Sequence, residues 1–406
     1  MKLCPTFALA ILLISSFVPS CRVAFAQSAP PPRPVDPFSL RARVAAPSAL
    51  ETPRSSEAVA PSASGSESDA DASGALDRIA LKNGTVLEAR VTSLSVRSGL
   101  VFSRGSDVSR VPLVEVDYIE ASVSEPFAQG CALYARGRDS GASSLYRSAL
   151  TLFQSARRDS PRRLEREWAT AKIVDCLLAL GRAEEAAVEF FLLCRTESHG
   201  AFLSSIPLFW QNRRATIGVP GTDRSLEDLA AEQLANDKSA QRATPAGRLL
   251  AASILINSQR YGRDARATLQ ALATLEPGDD PSPDEVEMCR VISLLANAQL
   301  WRPRLLASPD ASELERWRRA TALLPNAYQP GPRALVGQAE RRLGRAEEAT
   351  RSFMFVATLA RDASLARFCA ESAAQIMSES GRDQDARRVL RRFGIEESGD
   401  VTRPGA

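Results

Sequence analysis

The chain has 406 residues, 44% apolar and 24% charged, with a formal net charge of +3. That is a globular composition, long enough for two or three domains. So small a net charge excludes the clustered positive field on which nucleic-acid binding relies, so no nucleic-acid partner is expected.

Residues 1–26 read as a secretory signal peptide: Lys2 as a short basic region, an apolar run from Phe7 to Val18, and Ala24-Phe25-Ala26 as the cleavage site. The run is too short to span a membrane, and no later stretch offers a transmembrane segment. The expected location is therefore the periplasm or the cell surface. A lipid anchor on Cys21 is the alternative, disfavoured by Pro19. Cleavage removes Lys2 and Arg22, lowering the formal charge to +1, and leaves five of seven cysteines: Cys131, Cys176, Cys194, Cys289 and Cys369. With no C-x-x-C spacing they read mostly as small buried apolar residues. Arginine greatly outnumbers lysine, which stands only at positions 2, 82, 172 and 238. This invites an oxyanion-binding reading, but interspersed acids make codon bias the better one.

Residues 27–74, rich in Pro, Ser and Ala, read as a disordered linker unable to bury enough surface to offset ordering entropy. Within it Asp69, Asp71, Ser73 and Gly74 imitate the start of a calcium loop, but Ala80 stands where the bidentate Glu is needed, so no metal site is expected.

Over residues 75–121 the apolar period becomes two. Asn83-Gly84, between IALK and TVLEARV, signals a hairpin, and further turns fall near Gly99 and Gly105. This stretch resembles the small Sm-like or Src-homology-type β-modules, which implies a small antiparallel β-barrel. Whether that module binds anything is left open.

From 126 to 395 the pattern is helical. The heptapeptide LGRAEEA occurs at Leu180–Ala186 and again at Leu343–Ala349, each copy between two amphipathic runs. Glycine ends the first helix in a left-handed conformation, and the acidic pair favours the start of the second. Weaker copies are YGRDARA from Tyr261 and SGRDQDA from Ser380. An earlier pair, marked by Ala149 and Phe153, is read as having lost its turn glycine, and Trp301 stands where another would fall.

Gly337, Gly344, Ala349 and Phe353, with Gly181, Ala186 and Phe190, and Gly381, Ala386 and Leu390, resemble the tetratricopeptide repeat. The fold class expected is mainly α: an α-solenoid of tetratricopeptide-like helix pairs preceded by the β-barrel module. Residues 199–237 interrupt the array, and 396–406 form a disordered tail. The interruption carries SIPLFW (Ser205 to Trp210), either a docking cluster or a segment folded back on the helices, and a capped helix opening at Ser225.

The resemblance implies a groove lined six, three and two residues before each turn glycine. That nominates Asp175, with Leu178 and Ala179; Gln338, Arg341 and Arg342; and Gln375, with Ser378 and Glu379. Arg341 and Arg342 would form one positive spot for an acidic side chain.

No catalytic, cofactor-binding or metal-ligating residue is expected. The one histidine, His199, is a loop residue without a nucleophile motif around it. The function expected is an exported, non-catalytic scaffold that binds a protein or peptide partner through the solenoid. The alternatives are a cell-envelope structural protein whose β-module contacts polysaccharide or peptidoglycan, and a hydrolase with an unrecognised carboxylate pair.

Overall fold

The computed structural model describes residues 76–211, 225–235, 244–307 and 309–395, together with the backbone of 39–44. The stretch read as a signal peptide, Cys21, the calcium-like stretch and the segment 396–406 read as a tail lie outside the described residues, as do parts of the interruption. So does most of the linker.

The sheet comprises β1 (Ser39–Val44), β2 (Asp77–Leu81), β3 (Val86–Ser95), β4 (Gly99–Arg104), β5 (Asp107–Val111) and β6 (Val116–Val123), in the order β1-β6-β2-β3-β4-β5. The hairpin joining β2 to β3 turns at Asn83-Gly84, where the Thr85 N–H donates to Asn83 Oδ1 at 2.9 Å. The expected barrel is corrected here: the sheet is open. Its edges are β1 and β5, and β1 runs parallel to β6 with Ser39 opposite Tyr118 and Val44 opposite Val123. β1 thereby occupies the β6 edge that β5 would need for closure. It also comes from inside the segment read as a linker, so that segment contains a strand.

Helices follow: α1 (Glu125–Ser140), α2 (Ser143–Asp159), α3 (Arg163–Ala179), α4 (Ala183–Leu193), α5 (Leu226–Ala235), α6 (Pro245–Leu255) and α7 (Gly262–Ala273). After them come α8 (Pro283–Gln299), α9 (Trp301–Leu306), α10 (Ala311–Ala322), α11 (Pro330–Arg342), α12 (Ala346–Leu359), α13 (Ala363–Glu379) and α14 (Asp383–Arg392). Among the described residues none is long and apolar enough to cross a membrane. Helices adjacent in sequence pack on one another through most of the array.

Three corners share one geometry. Gly181, Gly344 and Gly381 have φ of +73°, +73° and +74°. After each, the N–H of Arg182, Arg345 or Arg382 donates at 2.8 Å to the carbonyl of Leu177, Glu340 or Met377. This is the six-to-one bond of a Schellman close, which only a residue tolerant of positive φ completes without strain. Five residues beyond each glycine, Ala186, Ala349 and Ala386 are buried where the paired helices cross, and Phe190 and Phe353 are sealed in the core.

The fourth corner differs, because Gly262 begins α7 with ordinary backbone and packs close to the Ile256 carbonyl. The α1–α2 pair has a turn glycine after all: Gly141, at φ +72°, lies farther from Ala149 than the other corners predict. At Trp301 no glycine turn occurs; the indole stacks on Trp317 with centroids 5.0 Å apart.

Two features tie the array together. The α3–α4 corner touches the start of α13, where Ser364 Oγ donates to the Gly181 carbonyl at 3.0 Å. The sheet is pinned at two helix starts. Asp77, fully buried in β2, accepts from the amides of Val91 and Ser122 (both 2.8 Å) and pairs with Arg162 ahead of α3. Asp284, in the first turn of α8, accepts from the amides of Leu113 and Val114 at 2.6 and 2.8 Å.

Candidate functional site

The structure separates the sequence-nominated residues into three settings. On α11 and α13 it brings three of them together: Arg341 donates to Gln375 Oε1 at 3.1 Å and to Glu379 at 2.8 Å, and Gln375 donates to Glu379 at 3.0 Å. Gln375 and Glu379 are exposed and Arg341 is about one-third exposed, so this is a solvent-facing polar ladder with one positive and one negative end. Arg342 has a structural partner, since its guanidinium donates to the Leu305 carbonyl at the end of α9. Gln338 is half-buried. By helical spacing Gly331, Gln338 and Arg342 share one face of α11.

Asp175 stands apart. Only 4% exposed, it accepts from Ser205 Oγ at 2.7 Å and from Lys172 Nζ at 3.2 Å, and Arg361 lies 3.9 Å away. Its place as a groove residue is therefore taken by the molecule itself. Ser205 begins the SIPLFW stretch, which folds back on the helices rather than projecting from them. A 3₁₀ turn over Glu197–Ser205, which holds the backbone of His199, leads into irregular chain at 206–210, where the Leu208 N–H turns back to the Ile206 carbonyl at 3.0 Å. Beyond, Ser225 caps α5 as expected, accepting from the Asp228 amide at 3.1 Å.

The centre of this region is a residue that the sequence reading missed. Arg302, on α9, is 1% exposed, and no carboxylate among the described residues pairs with it. Its Nη1 donates to the carbonyls of Phe209 (2.8 Å) and Ser253 (2.6 Å) and to Gln299 Oε1 (2.9 Å), and Nη2 donates to the Gln211 carbonyl (2.8 Å). Burial alone pulls this guanidinium down to about 10. Carbonyl dipoles are weak compensation for a desolvated cation. The only hint in the sequence was an arginine in the apolar context Leu-Trp-Arg-Pro, with no acid beside it.

Beside the SIPLFW stretch a cavity of about 70 Å³ remains, lined by Ile206, Pro207, Trp210, Tyr328 and Arg361 among others. That is room for a few waters at most, far below the few hundred Å³ of a small-molecule site.

All five described cysteines are free. Burial pushes Cys131 up to about 11 and Cys194 up to about 12, and raises Cys176 and Cys369 further. A raised thiol stays protonated and unreactive at neutral pH. Native protein at pH 8 should therefore leave these four unmodified by iodoacetamide over an hour, and unfolded protein should label fully; mass spectrometry reads both. Rapid native labelling of Cys176 or Cys194 would contradict the packing of α3 against α4.

Among the described residues no group of three or more His, Cys, Asp or Glu side chains is placed to hold a metal ion. Comparison with known protein families finds no match, and no curated protein matches the chain.

Proposed function

We propose that this protein is an exported, non-catalytic scaffold whose tetratricopeptide-like helix pairs present a surface to a protein or peptide partner. The observation that carries this reading is the set of three equivalent corners, with matching φ, matching 2.8 Å closing bonds and buried alanines five residues on. Helix pairs built to one pattern stack on neighbours because a single pair cannot cover its own apolar face, and the stacked faces then form an extended binding surface. The contact surface proposed is the ladder of Arg341, Gln375 and Glu379, with Gln338 beside it. In its pairing with Glu379, Arg341 has an exposed carboxylate that a partner's acidic side chain can replace.

Arg341→Glu tests this. Because exposed ion pairs contribute about 0.2 to 1 kcal/mol, the variant should melt within a few degrees of wild type. Affinity capture from envelope extracts should then lose a species that the wild-type chain retains. A folded variant capturing the same species with unchanged affinity and salt dependence refutes the surface assignment. Arg342 is unsuitable for this test, since its bond to Leu305 mixes binding with stability.

A further inference from the structure

We infer that Ser204–Gln211 is an internal ligand: it fills a peptide-binding groove that also accepts a non-helical apolar segment of the same sequence pattern from another protein. This deepens the scaffold reading and rests on it.

The strap is bound as peptides are bound. Residues 206–210 belong to no helix and pair with no strand. Side chains from separate helices recognise its backbone instead. Arg302 of α9 holds the carbonyls of Phe209 and Gln211, Ser253 of α6 faces the Phe209 amide at 3.4 Å, and Arg361 reaches the Ser204 carbonyl at 3.3 Å. Bonds of this kind read main chain and are indifferent to which chain supplies it. Specificity comes from the apolar side chains: Ile206, Leu208 and Trp210 are each 8–9% exposed, Pro207 is buried with them, and the Leu208 N–H closes a tight turn on the Ile206 carbonyl at 3.0 Å.

The groove is shaped for this occupant. The Trp210 ring lies where Gly331 of α11 lacks a side chain; a Cβ there would fall 2.0 Å from the indole. Leu178 of α3, Leu295 of α8 and Leu365 of α13 line the same space. The strap thus touches helices from both ends of the array. Asp175, nominated from sequence as ligand-facing, is engaged by Ser205. Along α11 the strap covers the face near Gly331 and leaves Gln338 and Arg342 beyond it, so a partner on the exposed ladder is positioned to extend into the groove as the strap leaves.

An occupied groove lowers apparent affinity by the fraction of time it stands open. The strap should therefore open locally, well below the free energy of global unfolding. Two measurements on the full chain decide this. In hydrogen exchange, the amides of Leu208 to Gln211 should exchange at least about 100-fold faster than those in the middle of α3 and α6. In fluorescence anisotropy, a labelled peptide of sequence SSIPLFWQ should bind the variant Ile206→Ser/Leu208→Ser/Trp210→Ser saturably. Wild type should bind it at least about tenfold more weakly, and a peptide carrying the same three serines should not bind.

A helical, cooperatively melting triple variant that ignores the peptide overturns the inference. So do strap amides that exchange only with global unfolding, and this second result decides the matter if the triple variant does not fold. The Arg341→Glu capture result is independent of both, so the scaffold reading can stand while the internal ligand falls.

Discussion

Asp77→Ala should destabilise the protein by about 3 to 5 kcal/mol, the penalty for breaking a buried ion pair by removing one partner. Asp77 has no exposed surface, and both of its oxygens are committed: to the amides of Val91 and Ser122, and to Arg162, whose side chain is 15% exposed. Truncation leaves two amides without acceptors and strands the guanidinium between the sheet and α3. Arg162 also donates to the carbonyls of Ser122 (3.0 Å) and Val91 (2.7 Å), so part of its charge stays dressed. The double variant Asp77→Ala/Arg162→Ala should accordingly lose less than the sum of the two single losses, as coupled residues do. Urea unfolding followed by circular dichroism checks this. Strict additivity would show that the pair does not hold the sheet to the helices.

Phe190→Ala and Phe353→Ala should each cost about 3 to 5 kcal/mol. Both rings are at most 1% exposed. The Phe353 ring packs against the bare backbone of Gly337, where a Cβ would approach to 3.0 Å, and meets Phe368 edge-on at 6.4 Å. Removal of either ring opens a void that helices fixed by Schellman corners cannot close. Leu192→Ala, at a residue 43% exposed on the same helix as Phe190, serves as the control and should change stability by no more than about 0.5 kcal/mol. Near-wild-type melting of either phenylalanine variant would place that ring outside the core.

What the sequence disclosed about this fold was local. Gly181, Gly344 and Gly381 were legible because a left-handed helix end demands glycine, and the acidic residues after each mark a helix start. Asn83-Gly84 was legible because a tight hairpin demands positive φ. Closure of the barrel was misjudged, since strand alternation carries no information about which edges meet. The strand Ser39–Val44 hid in a Pro- and Ser-rich stretch although Leu40, Ala42 and Val44 alternate. Composition averaged over some 48 residues masked a six-residue signal.

The candidate site was half legible. Position counting from the turn glycines placed Arg341 and Gln375 together, because neighbouring helix pairs repeat the same geometry. It also pointed to Asp175, but could not show that the chain's own Ser205 sits there. Arg302 was invisible, because its importance arises from carbonyls some 90 residues away in sequence, and no spacing rule reaches that far.

The contact between Gly181 and Ser364 has a consequence for how such a molecule can change over time. An array with two free ends can gain or lose a helix pair at either terminus, and each unit added or removed perturbs only one neighbour. Here the second helix pair leans on the start of the last, 183 residues later, and the strap reaches helices on both sides of that seam. Insertion or deletion of a pair would pull the seam apart and empty the groove together. The number of helix pairs between α3 and α13 is therefore constrained by this contact, and a change of length is expected to be tolerated in the exposed loops sooner than there.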